Sequence, residues 1–486
     1  MNLDLFIPEI TLAVFAVLVI LLDLFVRQKS VLRSVSLSGL VIAGGVAIAM
    51  WGDDYPAIFN NMLAVDSYAL FFKVLFAGIA FLVILASADY IDKFARFQGE
   101  YYALILLSTL GMMLMAATAD LISLYVALEL TSISLYALVG FLKDRKSTEA
   151  SLKYLLLGAV ASAILLYGMA LVFGYTGETQ LAAIAQSLQS ISLASLTDSP
   201  ALLMGIVLLV AGFSFKIAAV PFQMWVPDVY EGAPTPITAF LSVASKAAGF
   251  AIIMRIFYSA FGIPDWLSSN WGMIFAVLAV ISMIIGNVVA IPQSNIKRML
   301  GYSSIAQAGY LMVGLATVGM AQASNTVGQS TIIFFLASYA LTNLGAFIAI
   351  IAITNKIGSD GIDDFAGMFK RAPLLALGLT FCLISLVGMP PAAGFMAKFY
   401  IFSAAAQNNL IWLVVIAAIN SVISAYYYLR VVKVMWFGEP ASEEKVPSSG
   451  APRFALFLCC LGVLLLGIIP GLLMKLAEVA SKLFTF

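Results

Sequence analysis

The sequence predicts an all-α polytopic membrane protein of about fourteen transmembrane helices, and three observations carry that prediction. Of 486 residues, 63% are hydrophobic and 10% charged, where a soluble chain carries about a quarter charged residues. Mean hydropathy is +1.05. The apolar residues gather into runs of about 20, the length that crosses a bilayer, and lysine and arginine concentrate in alternate connections between them.

In chain order the runs cover residues 5–26, 34–50, 66–88, 101–118, 120–142, 150–174, 201–230, 236–260, 271–292, 298–318, 328–354, 373–402, 410–436 and 453–475. The first has Asp4 and Glu9 where a secretory signal needs basic residues, so it reads as a retained helix. Arg27, Lys29 and Arg33 follow the first run; Lys93 and Arg96 the third; Lys143, Arg145 and Lys146 the fifth. Lys297 and Arg298 follow the ninth, and Lys356, Lys370 and Arg371 the eleventh. Connections after even-numbered runs are nearly free of basic residues and carry Asp53, Asp54, Glu178, Asp198 and Asp265. The positive-inside rule then makes the basic connections cytoplasmic and turns both termini outward.

Residues 1–486 therefore form a single membrane domain, and the polar stretch Gly438 to Arg453 is only a short connection. Two runs carry proline interruptions: FKIAAVPFQMWVPDVY around Lys216 and LVGMPPAAGFMAKFY around Lys398. A proline removes a backbone donor and blocks the preceding turn. Such breaks survive at membrane depth only where protein or water meets the freed carbonyls. Paired broken helices mark inverted-repeat transporters. As the seventh and twelfth runs they lie five apart, which predicts two inverted five-helix repeats, 100–260 and 271–436, flanked by 1–90 and 453–475. The lysine precedes its prolines in one break and follows them in the other, a reversal that the pattern leaves unexplained.

Composition excludes several function classes. Formal net charge is zero, so nothing points to nucleic acid. Cys382, Cys459 and Cys460 lie inside apolar runs without metal-ligand spacing and read as packing residues. There is no histidine, which removes the usual metal ligand and the side chain that titrates nearest neutrality. With no phosphate loop, catalytic triad or zinc motif, the chain alone carries no recognisable covalent chemistry.

What remains is charge at bilayer depth, which costs roughly 2.5–3.5 kcal/mol per side chain on insertion scales. Glu129 lies nine residues beyond Asp120, about 13 Å into its helix. It is either a structural ion-pair partner or a carboxylate that holds and releases a lysine proton. Burial lowers a lysine's proton affinity and a neighbouring carboxylate restores it, and Lys216 is the natural partner. Lys246 sits about ten residues into its run with Ser242 four positions away on the same face, which points to a relay. Lys398 is either a relay member or a snorkelling side chain near a helix end. Lys153, one turn into the sixth run, is either an interfacial anchor or a relay member; Lys73 and Arg255 read mainly as anchors.

Around these positions the chain resembles the antiporter-like membrane subunits of respiratory complex I. The resemblance rests on EASLKYLLLGAVASAILLYGMAL at 149–171, GFSFKIAAVPFQMWVPDVYEGAPTPITAFLSVASK at 212–246, NIKRMLGYSSIAQAGYLMVG at 295–314 and GMPPAAGFMAKFY at 388–400. Within that family it is most similar to the N-type subunits of bacterial NADH-quinone oxidoreductase. EASLKY is shared with that type, the second break carries lysine where M-type subunits have glutamate, and the lateral extension of L-type subunits is absent.

The resemblance implies that Glu129 modulates Lys216, that Lys246 is the central lysine, that Lys398 is the terminal lysine near the outer exit, and that Lys153 is a further buried lysine. It implies no cofactor in this chain, with NADH, FMN, iron–sulfur clusters and quinone held by other subunits. It implies membrane-arm neighbours of the K and M types in a bacterial inner membrane. Gln223 and Gln307 stand where many relatives have histidine, so waters would have to bridge the central path. The competing readings are a subunit of a multisubunit cation/proton antiporter or membrane-bound hydrogenase, and a membrane scaffold that merely retains ancestral charges.

Overall fold

The computed structural model describes residues 3–53, 55–94, 97–190, 199–262, 265–320, 327–440, 442 and 444–482. Of the loop residues used to read orientation, Asp54, Arg96 and Asp198, together with the side chain of Asp265, lie outside the described residues. Regular structure among the described residues is helical, apart from isolated bridge pairs such as Asp120–Gln180.

Three helices open the chain: α1 (Ile7–Phe25), α2 (Ser30–Ala49) and α3 (Ser67–Ala86). Then come α4 (Gln98–Ala117), α5 (Leu121–Val139), α6 (Arg145–Thr176), the short α7 (Leu181–Ser190) and α8 (Pro200–Ile217). The first break leads to α9 (Trp225–Gly232), α10 (Thr235–Phe240), a π-helical turn (Leu241–Ser245) and α11 (Lys246–Ser259). The second half holds α12 (Asp265–Ala290), α13 (Ile296–Met320), α14 (Val327–Ile357), α15 (Met368–Arg371), α16 (Pro373–Val387), α17 (Ala393–Gln407) and α18 (Ile411–Phe437). The chain closes with α19 (Gly450–Ile468) and α20 (Gly471–Ser481).

Local chemistry starts and stops these helices. Asp66, Asp120 and Asp144 cap α3, α5 and α6, accepting from Ala69 N, Ile122 N and Ser147 N at 2.7 Å each, which satisfies donors that a first helical turn leaves free. Gly177, in the left-handed region at φ +74°, ends α6.

Twelve helices among the described residues are long and apolar enough to cross a membrane. The expected count of fourteen is not reached on that measure. The two runs that fall outside it are α13, which carries Lys297, Arg298, Ser303, Ser304 and Gln307, and the pair α16–α17, which the prolines divide into two 15-residue helices. The seventh run likewise ends early, at Ile217, and 225–232 is a separate short helix. Both breaks contain a cis proline bond, Val220–Pro221 and Pro390–Pro391. The π turn, α11 and α14 sit innermost, with every position of 235–257 buried.

Lys73 and Arg255, read from sequence as interfacial anchors, are instead buried ion-pair members. Lys73 Nζ lies 2.7 Å from Glu9 Oε1, both side chains 1% exposed. Arg255 holds Asp66 with Nη1 and Nη2 at 2.5 and 2.9 Å and also donates to the Ala116 carbonyl at the end of α4. Sequence depth alone could not show that carboxylates on α1 and ahead of α3 reach these cations. Because Lys73 is sealed from water, Glu9→Leu alone is expected to cost about 3–5 kcal/mol. It should deplete the folded chain in membranes, and Glu9→Leu with Lys73→Met should restore it; immunoblotting and thermal melts of the purified protein read both.

Candidate functional site

The first break positions two charged residues. Lys216 belongs to the last turn of α8, the negative end of the half-helix, where a cation is favoured. Ala218 then turns left-handed and the helix stops. Trp225 Nε1 donates to the Phe215 carbonyl at 3.0 Å, and that carbonyl also accepts from Ala218 N at 3.2 Å. Lys216 is 4% exposed, and its amine donates to Ser132 Oγ at 3.1 Å. Ser132 stands one turn beyond Glu129 on α5.

Glu129 is half-buried and does not pair directly with Lys216; its Oε1 accepts from Ser162 Oγ of α6 at 2.5 Å. Ser132, Ser162 and Lys216 line one small cavity between α5, α6 and α8, with room for about one water molecule. In place of the expected direct Glu129–Lys216 pair, Ser162 holds the carboxylate and Ser132 holds the amine, and both serines border the same cavity.

Lys246 follows the π turn. It is 1% exposed and donates to Ser304 Oγ of α13 at 2.9 Å and to the Ser304 carbonyl. Its polar neighbour is therefore Ser304, not Ser242, which accepts from Asn343 Nδ2 at 2.7 Å instead. The reason is the π turn itself: i→i+5 bonding carries Ser242 off the face that α-helical spacing assigns it. On the other side, Gly249, three residues after Lys246, lies against the stem of Lys216, whose Cγ stands 3.4 Å from where a Cβ would be. The buried hydroxyls of Ser214 and Ser245 lie beside these lysines in sequence without hydrogen-bond partners among the described residues.

The second break positions Lys398. Its helix runs on nine residues beyond it to Gln407, and the lysine is 5% exposed, which disfavours the snorkelling alternative. Nζ donates to the Leu386 and Val387 carbonyls at 3.1 and 2.8 Å and to Ser421 Oγ at 2.8 Å, and stands 4.5 Å from the centre of the Tyr310 ring. The Leu386 carbonyl also accepts from Gln307 Nε2 at 3.2 Å. Gln307 is three residues beyond Ser304 on α13, so one face of that helix joins the partner of Lys246 to the partner of Lys398. Gly388, at φ +93°, ends α16; a Cβ there would meet Lys398 Cδ at 2.9 Å, so both backbone and space demand glycine.

Lys153 does not take the buried position that the resemblance implies and lies where the interfacial-anchor alternative puts it. Its side chain is 43% exposed and bonds Glu149 and Asp228 at 2.9 and 2.8 Å, because the third turn of α6 faces the short helix α9. Arg298 completes the cluster, reaching Asp228 and Glu231 at 2.6 and 3.2 Å. Partial burial pushes the Asp228 carboxyl up, but the hydrogen bonds and charges of Lys153 and Arg298 outweigh it and hold the group below the usual carboxylate range. The network therefore persists at neutral pH and weakens only in acid. Ser132, Ser162, Ser304 and Asp228 were not singled out from sequence, although Ser132 sits one turn from Glu129 and could have been. At Gln223, the side-chain carbonyl is buried without a partner among the described residues, the situation in which proteins place water.

The family model for NADH:quinone oxidoreductase/Mrp antiporter, TM matches residues 117–424. The NADH-quinone oxidoreductase subunit N of Dehalococcoides mccartyi is 50% identical over 99% of both chains. The chain belongs to the NADH-quinone oxidoreductase subunit N family. A chain of respiratory complex I from Thermus thermophilus superposes with a TM-score of 0.81 at 32% identity, covering 97% of this chain and 99% of that one. A chain of the membrane-bound sulfane sulfur reductase, an archaeal respiratory membrane complex, gives 0.86 at 28%, covering 99% and 97%. The family match takes in Glu129, Lys153, Lys216, Lys246 and Lys398, whereas the Glu9–Lys73 pair lies outside it.

Removing the Ser304 hydroxyl leaves Lys246 with a single backbone acceptor. Ser304→Ala is expected to cost about 1–3 kcal/mol and Ser304→Thr much less, read as thermal midpoints of the purified protein.

Proposed function

We propose that this chain is a proton-translocating membrane-arm subunit of an NADH:quinone oxidoreductase, assembled with other subunits of that complex, among them neighbours of the K and M types. It carries no redox cofactor; NADH, FMN, iron–sulfur clusters and quinone belong to other subunits. It sits in a bacterial inner membrane with its basic connections cytoplasmic and both termini outward, as the positive-inside pattern supports. The two five-helix repeats, 100–260 and 271–436, are related by inversion, consistent with a broken element fourth of five in each.

The observation that carries the reading is the succession of buried amines, Lys216, Lys246 and Lys398, each held by hydroxyls or carbonyls rather than by a permanent counter-ion. An amine so held keeps or gives up a proton according to small changes nearby. Glu129 supplies the change: driven by quinone reduction elsewhere, its displacement relative to Lys216 alters how well that amine holds its proton. The proton passes to Lys246, across Ser304 and Gln307 to Lys398, and outward. Lys153, with Asp228 and Arg298, stands at the cytoplasmic mouth and collects protons rather than relaying them from within. The energies match. Moving one charge against 100 mV costs roughly 2.3 kcal/mol, and a change of one to two pKa units is worth about 1.4–2.7 kcal/mol.

Lys216→Met and Glu129→Ala in the intact complex test the reading. Proton pumping and coupled quinone reduction should each fall about tenfold or more, equivalent to about 1.4 kcal/mol, with assembly unchanged. If both activities persist, the chain is a scaffold. Co-purification with cation/proton-antiporter or hydrogenase subunits, and no quinone-reducing module, would replace the assembly named here.

A further inference from the structure

A groove of about 550 Å³ runs between α16 and α19, outside the relay. Its walls are apolar, with Leu374, Gly378 and Phe381 on one side and Phe457 and Leu464 on the other, and Arg453 closes one end. Leu374 is 68% and Phe457 60% exposed, so the groove opens sideways from the bundle. Arg453 uses Nε to hold Ser448 Oγ at 2.8 Å. Its two terminal nitrogens have no partner among the described residues. Lys370 and Arg371 immediately precede the Leu374 end, while Glu444 nearby is engaged by Lys356 at 3.5 Å.

We propose that this groove is a binding site for one anionic phospholipid, its phosphate on Arg453 and one acyl chain along the α16–α19 seam. Length argues for a lipid over a helix of another subunit. From Arg453 to Leu464 is about 16 Å along α19, close to half of a hydrocarbon core about 30 Å thick. The groove therefore has the depth of a single leaflet, whereas a partner helix would need a seam across both. Charge sets the headgroup. The apolar length ends at a guanidinium whose two terminal nitrogens have no partner among the described residues, a geometry that takes phosphate in a bidentate manner, and basic recesses between helices at a cytoplasmic surface favour anionic lipid. The shape has a local cause: with no side chain at Gly378, α16 lies against Leu456, where a Cβ would come within 2.8 Å, and this close crossing leaves the seam that the larger residues border.

The test uses the purified intact complex, stripped of loosely held lipid and offered phosphatidylglycerol or phosphatidylcholine of the same acyl chains. Lipid retained on this chain is counted by native mass spectrometry. The unsubstituted chain should retain one phosphatidylglycerol in preference. Arg453→Gln should cut that preference about fivefold, and Leu461→Trp, which fills the groove, should lower retention of both lipids. A photoreactive side chain at position 457 should yield lipid adducts. Equal retention of the two lipids, an unchanged lipid complement in both variants, or adducts to another subunit at position 457 would each overturn the proposal.

Discussion

Charge persists at bilayer depth only where the protein supplies what water would have supplied. In this chain that requirement is met in two ways. Lys73 and Arg255 are neutralised outright by Glu9 and Asp66. Along the centre, Lys216, Lys246 and Lys398 have no carboxylate within ion-pair distance among the described residues and are held by serine hydroxyls and backbone carbonyls. The first arrangement locks a cation in place. The second keeps it responsive, because a hydroxyl or carbonyl solvates an ammonium without fixing its charge, and water and neighbouring charge can tip the balance.

The broken helices make the second arrangement possible. Each break exposes the carbonyl end of a half-helix, where positive charge is favoured. The reversed order of lysine and proline finds its explanation there. Lys216 is built into the last turn of its own half-helix, whereas Lys398 starts from the following helix and reaches back to the same end through the Leu386 and Val387 carbonyls. Both routes deliver an amine to the same electrostatic position. The π turn before Lys246 plays a comparable part, rotating that lysine from Ser242 toward Ser304.

The fold class and the central amines were legible in sequence because they depend on run length and on charge within apolar runs, which local composition records. The partners were not. That Ser162 meets Glu129, or that Gln307 shares a carbonyl with Lys398, follows from helix packing over separations of 33 and 91 residues. The choice between the two readings of Lys153 was not legible, because one turn into a run says nothing about which face meets lipid, neighbour or solvent. Ser242 misled for a different reason: a single π turn breaks the spacing rule that sequence reading assumes.

The claim on which the account rests is that water joins these amines into one path. A density map of the assembled complex at a resolution that orders water tests it most directly. Waters are expected on the unpartnered Ser214 and Ser245 hydroxyls between Lys216 and Lys246, on Gln223 in the first break, and on the buried Tyr339 hydroxyl, whose residue lines the same cavity as Lys398. Dry apolar packing across either gap, wider than a single water can bridge, would contradict it.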